Sequence, residues 1–100
     1  MFLHIGENIT IFRKDIIAMI DKKTVENCKN TKQFIDNMIR EGYLCNDNVE
    51  NIKTYILTCS KKIDSKKRKP VKKYGLYVSS ISSTTLSKRN KNIETRLEVK

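Results

Sequence analysis

Two short apolar runs separated by turn-forming residues open the chain. Residues 2–5 read FLHI, and residues 8–12 read NITIF, in which polar and apolar side chains alternate as they do in a half-buried strand. Gly6, Glu7 and Asn8 lie between the runs and tolerate the backbone angles of a tight turn. The pattern predicts an N-terminal β-hairpin.

A continuous apolar run at residues 16–20 follows the charged triplet Arg13-Lys14-Asp15. A strand without polar positions is typical of burial on both faces, so we expect residues 16–20 to lie centrally in a sheet. The triplet is then a bend or bulge between two strand segments, from which Arg13 and Lys14 project.

The clearest helical pattern occupies residues 30–41. Its apolar positions recur with helical spacing and form one stripe, made of Phe34, Ile35, Met38 and Ile39. Asn30 or Thr31 can cap the first turn, and Gly42 stands where a left-handed residue commonly ends a helix. We predict an amphipathic helix across one face of the sheet. An alternative start near Thr24 would add Val25 and Cys28 to the core.

Two further strands and a short helical turn complete the predicted domain. Residues 52–59 (IKTYILTC) and 74–79 (YGLYVS) read as strands, and the hydroxyl-rich run before Leu86 can cap one helical turn at about residues 83–88. Those hydroxyls could also donate to phosphate oxygens, although capping is the more economical interpretation. We therefore expect a small α+β domain over residues 1–89, with an antiparallel β-rich sheet and one amphipathic helix, followed by a flexible charged tail at 90–100.

The net positive charge lies entirely in the second part of the chain. Residues 1–60 contain eight basic and eight acidic residues, whereas residues 61–100 contain thirteen and three, which accounts for the whole net charge of +10. Residues 61–73 (KKIDSKKRKPVKK) hold eight of these cations and one acid. A run this charged predicts an exposed basic loop between two strands, mobile until a polyanion neutralises it. Nucleic acid is the commonest such polyanion, and anionic lipid is the second.

The sequence contains no constellation typical of catalysis or metal binding. Cys28, Cys45 and Cys59 are 17 and 14 residues apart, without the close pair that holds zinc, and we expect reduced thiols that pack as small apolar groups. The single histidine, His4, fits a satisfied strand residue better than a catalytic base. The three glycines are too widely spaced for a phosphate-binding loop. We expect a binding protein that is not an enzyme and uses no cofactor or metal.

The longest uninterrupted apolar run has five residues, far fewer than the roughly 20 that span a bilayer. We expect a soluble, cytoplasmic protein without membrane association.

Both ends of the domain resemble one protein family. The opening MFLHIGENITIFRKDIIAMID and the closing YVSSISSTTLSKR are similar to the ends of the RemA/RemB family of bacterial biofilm-matrix regulators, particularly its RemB branch. QFIDNMIREG and KTYILT lie between them in the corresponding order, so the resemblance covers about residues 1–89. It implies a LytTR-like fold, ring-forming homo-oligomers, and binding of promoter DNA as an activator of extracellular-matrix genes.

The resemblance also implies where basic residues contact DNA. Arg13 and Lys14 stand just before the second apolar strand, where the family is basic, although Asp15 departs from that pattern. The family's arginines before the strand that follows the helix are reduced here to Lys53, and the segment 61–73 supplies the missing charge. The predicted double-stranded-DNA-binding residues are Arg13, Lys14, Lys53, Lys61, Lys62, Lys66, Lys67, Arg68, Lys69, Lys72, Lys73, Lys88 and Arg89.

A second function remains open at the level of sequence. An assembly protein could co-assemble with a related regulator and use its basic segment on an acidic partner, without contacting DNA. A lysine-rich loop could also only keep an oligomer soluble. The DNA hypothesis rests on the charge asymmetry, the position of the cations in loops, and the resemblance.

Overall fold

The computed structural model describes residues 1–47, 49–64, 66 and 69–89, with the backbone alone at residues 62–64. The described chain is an α+β fold, as predicted, built from small antiparallel sheets and helices. Its elements are β1 (Phe2–His4), β2 (Thr10–Phe12), a 3₁₀ turn (Arg13–Asp15), β3 (Ile16–Asp21), α1 (Lys22–Asn27), α2 (Lys29–Arg40), β4 (Thr54–Asp64), β5 (Lys69–Ser79) and α3 at residues 83–89.

The N-terminal hairpin is confirmed. β1 and β2 pair in antiparallel register, with Leu3 opposite Ile11. Gly6, Glu7 and Asn8 all have positive φ angles, so three successive residues reverse the chain in the left-handed region. The predicted bend after this hairpin is the 3₁₀ turn, which carries the chain from the two-stranded sheet into the main sheet.

The main sheet has the strand order β3-β4-β5, which corrects the predicted position of residues 16–20. β4 is central, and β3 lies at an edge with its register to β4 shifted between Ile16 and Ala18. Ile17 is 53% exposed, and no residue of β3 is fully buried. An unbroken apolar run indicates contact on both faces, but it does not report whether a strand has one neighbour or two.

One face of the main sheet is covered by the hairpin and α3. Leu3, Ile5 and Ile11 from the hairpin pack with Ile56 of β4 and Leu86 of α3, and all five side chains are buried. Burying a side chain of this size contributes about 1.5–3 kcal/mol, so these residues attach the N-terminal hairpin firmly to β4.

The opposite face is covered by the helices. Val25 of α1 and Ile35 and Met38 of α2 pack against Leu76 of β5, with Tyr55 half-buried beside them. The main sheet is therefore the middle layer of three, and its cores on the two faces draw on different segments of the chain.

The helical region differs from the prediction at its start. α1 and α2 are separate helices divided at Cys28, which has an extended backbone and caps α2 without a side-chain hydrogen bond. Val25 joins the core, as the alternative start predicted, but Cys28 is exposed. Phe34 and Ile39 are also exposed, so only the inner half of the predicted stripe is buried. The three-stranded sheet offers too little surface to cover a wider apolar stripe of the helix.

The C-terminal end of α2 agrees with the prediction. Gly42 has a φ angle of +86°, and its N–H donates to the carbonyl of Ile39, while the Tyr43 N–H donates to the carbonyl of Met38. These two bonds form a Schellman motif, in which a left-handed glycine satisfies the last helical carbonyls.

The predicted capping of the C-terminal helix is also confirmed. The Thr85 N–H donates to the Ser82 hydroxyl at 3.3 Å, and the two hydroxyl oxygens lie 2.9 Å apart. Ser82 is thus the N-cap of α3, and capping accounts for part of the serine- and threonine-rich run.

Candidate nucleic-acid interface

Strands β4 and β5 continue well past the layers that cover the sheet. They pair without a register break from Thr54 opposite Ser79 to Asp64 opposite Lys69. Among the side chains that the structure describes, neither core cluster contains one from residues 60–73, and every described side chain from Lys69 to Tyr74 is exposed. We call the two strand ends at residues 60–64 and 69–73 the β-arm.

The β-arm corrects the predicted basic loop at residues 61–73. The segment does lie between two strands, but residues 61–64 and 69–73 belong to those strands, and only residues 65–68 connect them. The density of charge favoured a loop in the prediction. Lysine is disfavoured in strands by only a modest free energy, however, and pairing with a strand that is already anchored can offset it.

Attachment to the three-stranded body explains how this uncovered ribbon is stabilised. An isolated two-stranded hairpin is marginal in water, whereas the β-arm continues a ladder already aligned by the body. Pro70 lies on β5, an edge strand of the sheet, where a residue without an N–H is tolerated.

The β-arm presents lysines on both of its faces. Lys61 and Lys72 are directly opposite one another, so their side chains share one face. Lys69 and Lys73 lie at odd-numbered positions of β5 and share the other face. Lys66 lies in the connection and Lys62 in β4, while Lys67 and Arg68 fall outside the described residues.

The opposition of Lys61 and Lys72 is electrostatically unfavourable in the free protein. Directly opposite residues of an antiparallel pair have Cβ atoms about 4.5–5.5 Å apart, and like charges there are destabilising. An anion bound over that face would be attracted by both ammonium groups and would remove their repulsion.

Arg13 and Lys14 lie beside the base of the β-arm. Ile16 pairs with Thr58, so the preceding 3₁₀ turn runs alongside β4 toward Ser60 and contacts that strand. The Lys14 Nζ atom lies 5.6 Å from the centre of the Phe12 ring, in a cation–π contact. Arg13 is half-buried and Lys14 is exposed.

Three predicted site residues lie at the other end of the sheet. Lys53 precedes β4, seven residues from Ser60, which is about 23 Å along an extended strand. Lys88 and Arg89 end the described part of α3, where an Arg89 Nη1 atom donates to the His4 carbonyl at 3.2 Å. The predicted residues therefore form two groups that cannot share one phosphate.

The remaining candidate chemistry lies away from the β-arm. His4 is exposed on β1, and the described residues contain no cluster of three histidine, cysteine or acidic side chains able to hold a metal.

Cys28 and Cys45 are exposed, so the prediction that all three thiols pack as apolar groups is wrong for these two. The side-chain hydroxyl and backbone N–H of Thr31 stabilise the Cys28 thiolate and lower its pKa. Burial raises the pKa of Tyr55 and of Tyr77.

Sequence reasoning missed the apolar residues that accompany the cations. Val71 is exposed on the β-arm, Tyr74 is exposed just beyond it on the opposite face of β5, and Phe12 and Ile17 are exposed near the base of the β-arm. Residues 71–74 read VKKY, which lacks the regular alternation of a strand, so the sequence did not signal the exposure of these apolar side chains.

Within the described residues, no helix combines the length and apolarity needed to cross a bilayer. Comparisons of the chain with family models, with curated proteins and with solved structures found no match.

Proposed function

We propose that this protein binds double-stranded DNA through the β-arm and acts as a transcriptional regulator. The observation that carries the proposal is a basic two-stranded ribbon that extends beyond both layers covering the sheet. No described side chain of this ribbon belongs to either core cluster, which leaves Lys61, Lys69, Lys72 and Lys73 available to a polyanion.

The dimensions of the β-arm favour a duplex groove. Its two strands lie about 4.8 Å apart, and the major groove of B-DNA is about 12 Å wide and admits a two-stranded ribbon. Lysines on both faces, Lys61 and Lys72 on one and Lys69 and Lys73 on the other, would then approach the phosphates that line the two sides of the groove.

Phosphate contact is expected to dominate over base readout. Seven of the eight cations at residues 61–73 are lysines, which act as point charges and lack the two-pronged geometry with which arginine reads guanine. Affinity for duplexes of different sequence should therefore be similar and should fall steeply with salt.

The resemblance to RemA/RemB regulators supports the biological setting of this proposal. It suggests a cytoplasmic activator of extracellular-matrix genes that works as a ring-forming homo-oligomer. A ring would present many β-arms to one duplex, and the raised effective concentration would offset a weak contact by each copy. Arg13 and Lys14 would extend the contact surface at the base of each β-arm.

The test is fluorescence anisotropy with a labelled random-sequence duplex of about 40 base pairs, long enough for several copies to bind. Wild-type protein is compared with a variant carrying Lys61→Ala, Lys72→Ala and Lys73→Ala. We expect affinity to fall for all duplexes alike. The slope of log K against log salt should become shallower by about 0.9 for each phosphate that the variant no longer neutralises.

A charge-matched control separates the β-arm from general attraction to a basic protein. Lys23→Ala, Lys29→Ala and Lys32→Ala remove the same three charges from exposed positions on the helices. We expect this variant to bind almost as wild type. Equal losses of affinity in the two variants would exclude the β-arm as a specific DNA-binding surface, and a wild-type protein that does not bind even at low salt would refute DNA binding.

A second candidate is an assembly protein that pairs with a related regulator without contacting DNA. Exposed large apolar side chains on more than one surface favour it, including Phe2, Phe34, Ile39 and Tyr43. Co-purification of a protein partner, together with absent DNA binding, would support this function in place of the first.

A further inference from the structure

The outer edge of β3 differs from the other open edge of the main sheet. Among the described residues, β3 pairs only with β4, so its second edge presents unpaired backbone groups. The β5 edge of the β-arm carries lysines and Pro70, devices that discourage pairing with another strand. Residues 16–20 contain neither lysine nor proline and are all apolar.

A groove follows this edge. A cavity of about 660 Å³ is lined by Phe12, by Arg13 and Lys14 and by β3 from Ile16 to Met19. A second cavity of about 540 Å³ shares Met19 and continues past Ile20 and Asp21 to Lys88. The two cavities together run the length of β3.

The charges beside the groove select the chemistry of an occupant. Arg13 and Lys14 stand at one end, and Lys88 stands at the other. Among the described residues, Asp21 is the only acid that lines either cavity, and its carboxylate accepts a hydrogen bond from the Lys23 N–H at 3.3 Å at the start of α1. The groove is therefore apolar along Ile16 to Ile20, positive at the end with Arg13 and Lys14, and balanced in formal charge at the other end, where Lys88 and Asp21 both line it.

These charges disfavour a second copy of the chain as the occupant. Antiparallel self-pairing of the whole apolar run places residue 16 opposite residue 20. The same register places Asp15 opposite Asp21 and Lys14 opposite Lys22, at both ends of the pair. Like charges directly opposite one another destabilise a strand pair.

We propose that the β3 edge binds an extended segment of another protein in which apolar and acidic side chains alternate. The segment adds a fourth strand to the sheet through backbone hydrogen bonds. Its apolar side chains cover Ile17 and the Phe12 ring, which are 53% and 45% exposed, and its acids approach Arg13 and Lys14. The groove lies outside the β-arm, although Arg13 and Lys14 border both surfaces, and the proposal does not require DNA binding.

The test uses a fluorescent heptapeptide that alternates glutamate and valine, with wild-type protein at physiological salt. We expect saturable binding that Ile17→Glu weakens by about tenfold or more, the scale of losing one buried apolar anchor. Phe34→Glu is the matched control, because Phe34 is 48% exposed on α2 outside the groove, and it should leave affinity nearly unchanged.

Two control peptides test the mode of binding. Lysine in place of glutamate should abolish binding if charge complementarity selects the segment. Proline in place of the central valine should abolish it if backbone pairing does. A heptapeptide that binds equally well with either replacement would overturn the proposal.

The β-arm is the competing site for any acidic peptide. A variant with Lys61→Ala, Lys72→Ala and Lys73→Ala should retain peptide binding, because these lysines lie outside the groove. Binding that is abolished in this variant and kept in Ile17→Glu would assign the peptide to the β-arm and overturn the proposal. Analytical ultracentrifugation tests whether this edge joins two copies of the chain. A wild-type dimer that the Ile17→Glu substitution dissociates, and that the peptide does not dissociate, would also overturn the proposal.

Circular dichroism and thermal unfolding check that each variant folds. If the Ile17→Glu variant fails to fold, Ile17→Ala provides the same comparison, because it removes most of the exposed apolar surface of the Ile17 side chain. Unchanged peptide affinity in the folded Ile17→Ala variant would also refute the proposal.

Discussion

Single polar side chains join elements of this fold that are distant in sequence. The Asn46 amide donates to the Val78 carbonyl at 2.8 Å, and the Val78 N–H donates to the Asn46 Oδ1 atom at 2.9 Å. The side chain thereby extends the ladder that Cys45 begins when its N–H donates to the Leu76 carbonyl. The outer edge of β5 is covered in the body of the sheet, although no strand lies there among the described residues.

Replacing Asn46 should therefore lower global stability. Asn46→Ala leaves both backbone groups of Val78, a buried residue, without these partners, and we expect a loss of about 2–3 kcal/mol in the free energy of unfolding. Urea denaturation measures it. Asn27→Ala, at an exposed position at the end of α1, is the control and should change stability by less than about 0.5 kcal/mol. Equal changes in stability for the two variants would show that the two hydrogen bonds between Asn46 and Val78 do not stabilise the fold.

At the scale of elements, the features predicted correctly are those that neighbouring residues determine. The turn at Gly6, the helix end at Gly42 and the bend at Arg13 each depend on a few consecutive residues. The position of β3 at an edge and the exposure of Phe34 depend on how many strands the sheet has, which residues 16–20 or 30–41 alone do not encode.

The sequence predicted which lysines belong to the candidate site but not how they are arranged in space. Its lysines were identified from charge alone, whereas their arrangement on two faces follows from the register that places Lys61 opposite Lys72. Lys53, Lys88 and Arg89 are basic and exposed, yet the fold separates them from the β-arm. Spatial grouping of like residues is a tertiary property, and the β3 groove was missed for the same reason.

The β-arm should be dispensable for folding. A variant in which residues 61–72 are replaced by Asn-Gly closes the hairpin with a two-residue turn between Ser60 and Lys73, which already pair. Because neither core cluster includes a described side chain of the β-arm, we expect the free energy of unfolding of this variant at about 0.3 M salt to match wild type within about 0.5 kcal/mol. Urea denaturation tests this, and a larger loss would give the β-arm a structural role.

At the scale of the whole molecule, charge is unevenly distributed. Residues 61–72 contain seven basic residues and one acid, so the truncated variant keeps a net charge of +4 out of +10. Repulsion among such charges destabilises a compact state and is screened by salt, because the Debye length is about 10 Å at 0.1 M ionic strength.

Stability should consequently rise with ionic strength. We expect the thermal midpoint of wild type to increase by about 4 °C between 0.01 and 0.3 M sodium chloride, roughly 1 kcal/mol for a domain of this size. The truncated variant should respond less, because it lacks most of the excess charge. Differential scanning calorimetry measures both proteins, and an identical response would place the repulsion outside the β-arm.

The unbroken register of β4 and β5 makes the length of the β-arm adjustable in discrete steps. Adding one residue to each strand end extends the reach by about 3.3 Å and turns the new side chains to the opposite face, whereas adding two restores the original faces. Evolution could therefore lengthen, shorten or recharge the β-arm in matched pairs while both cores stay unchanged. Divergent relatives would then differ most in the reach of this ribbon and least in the body that carries it.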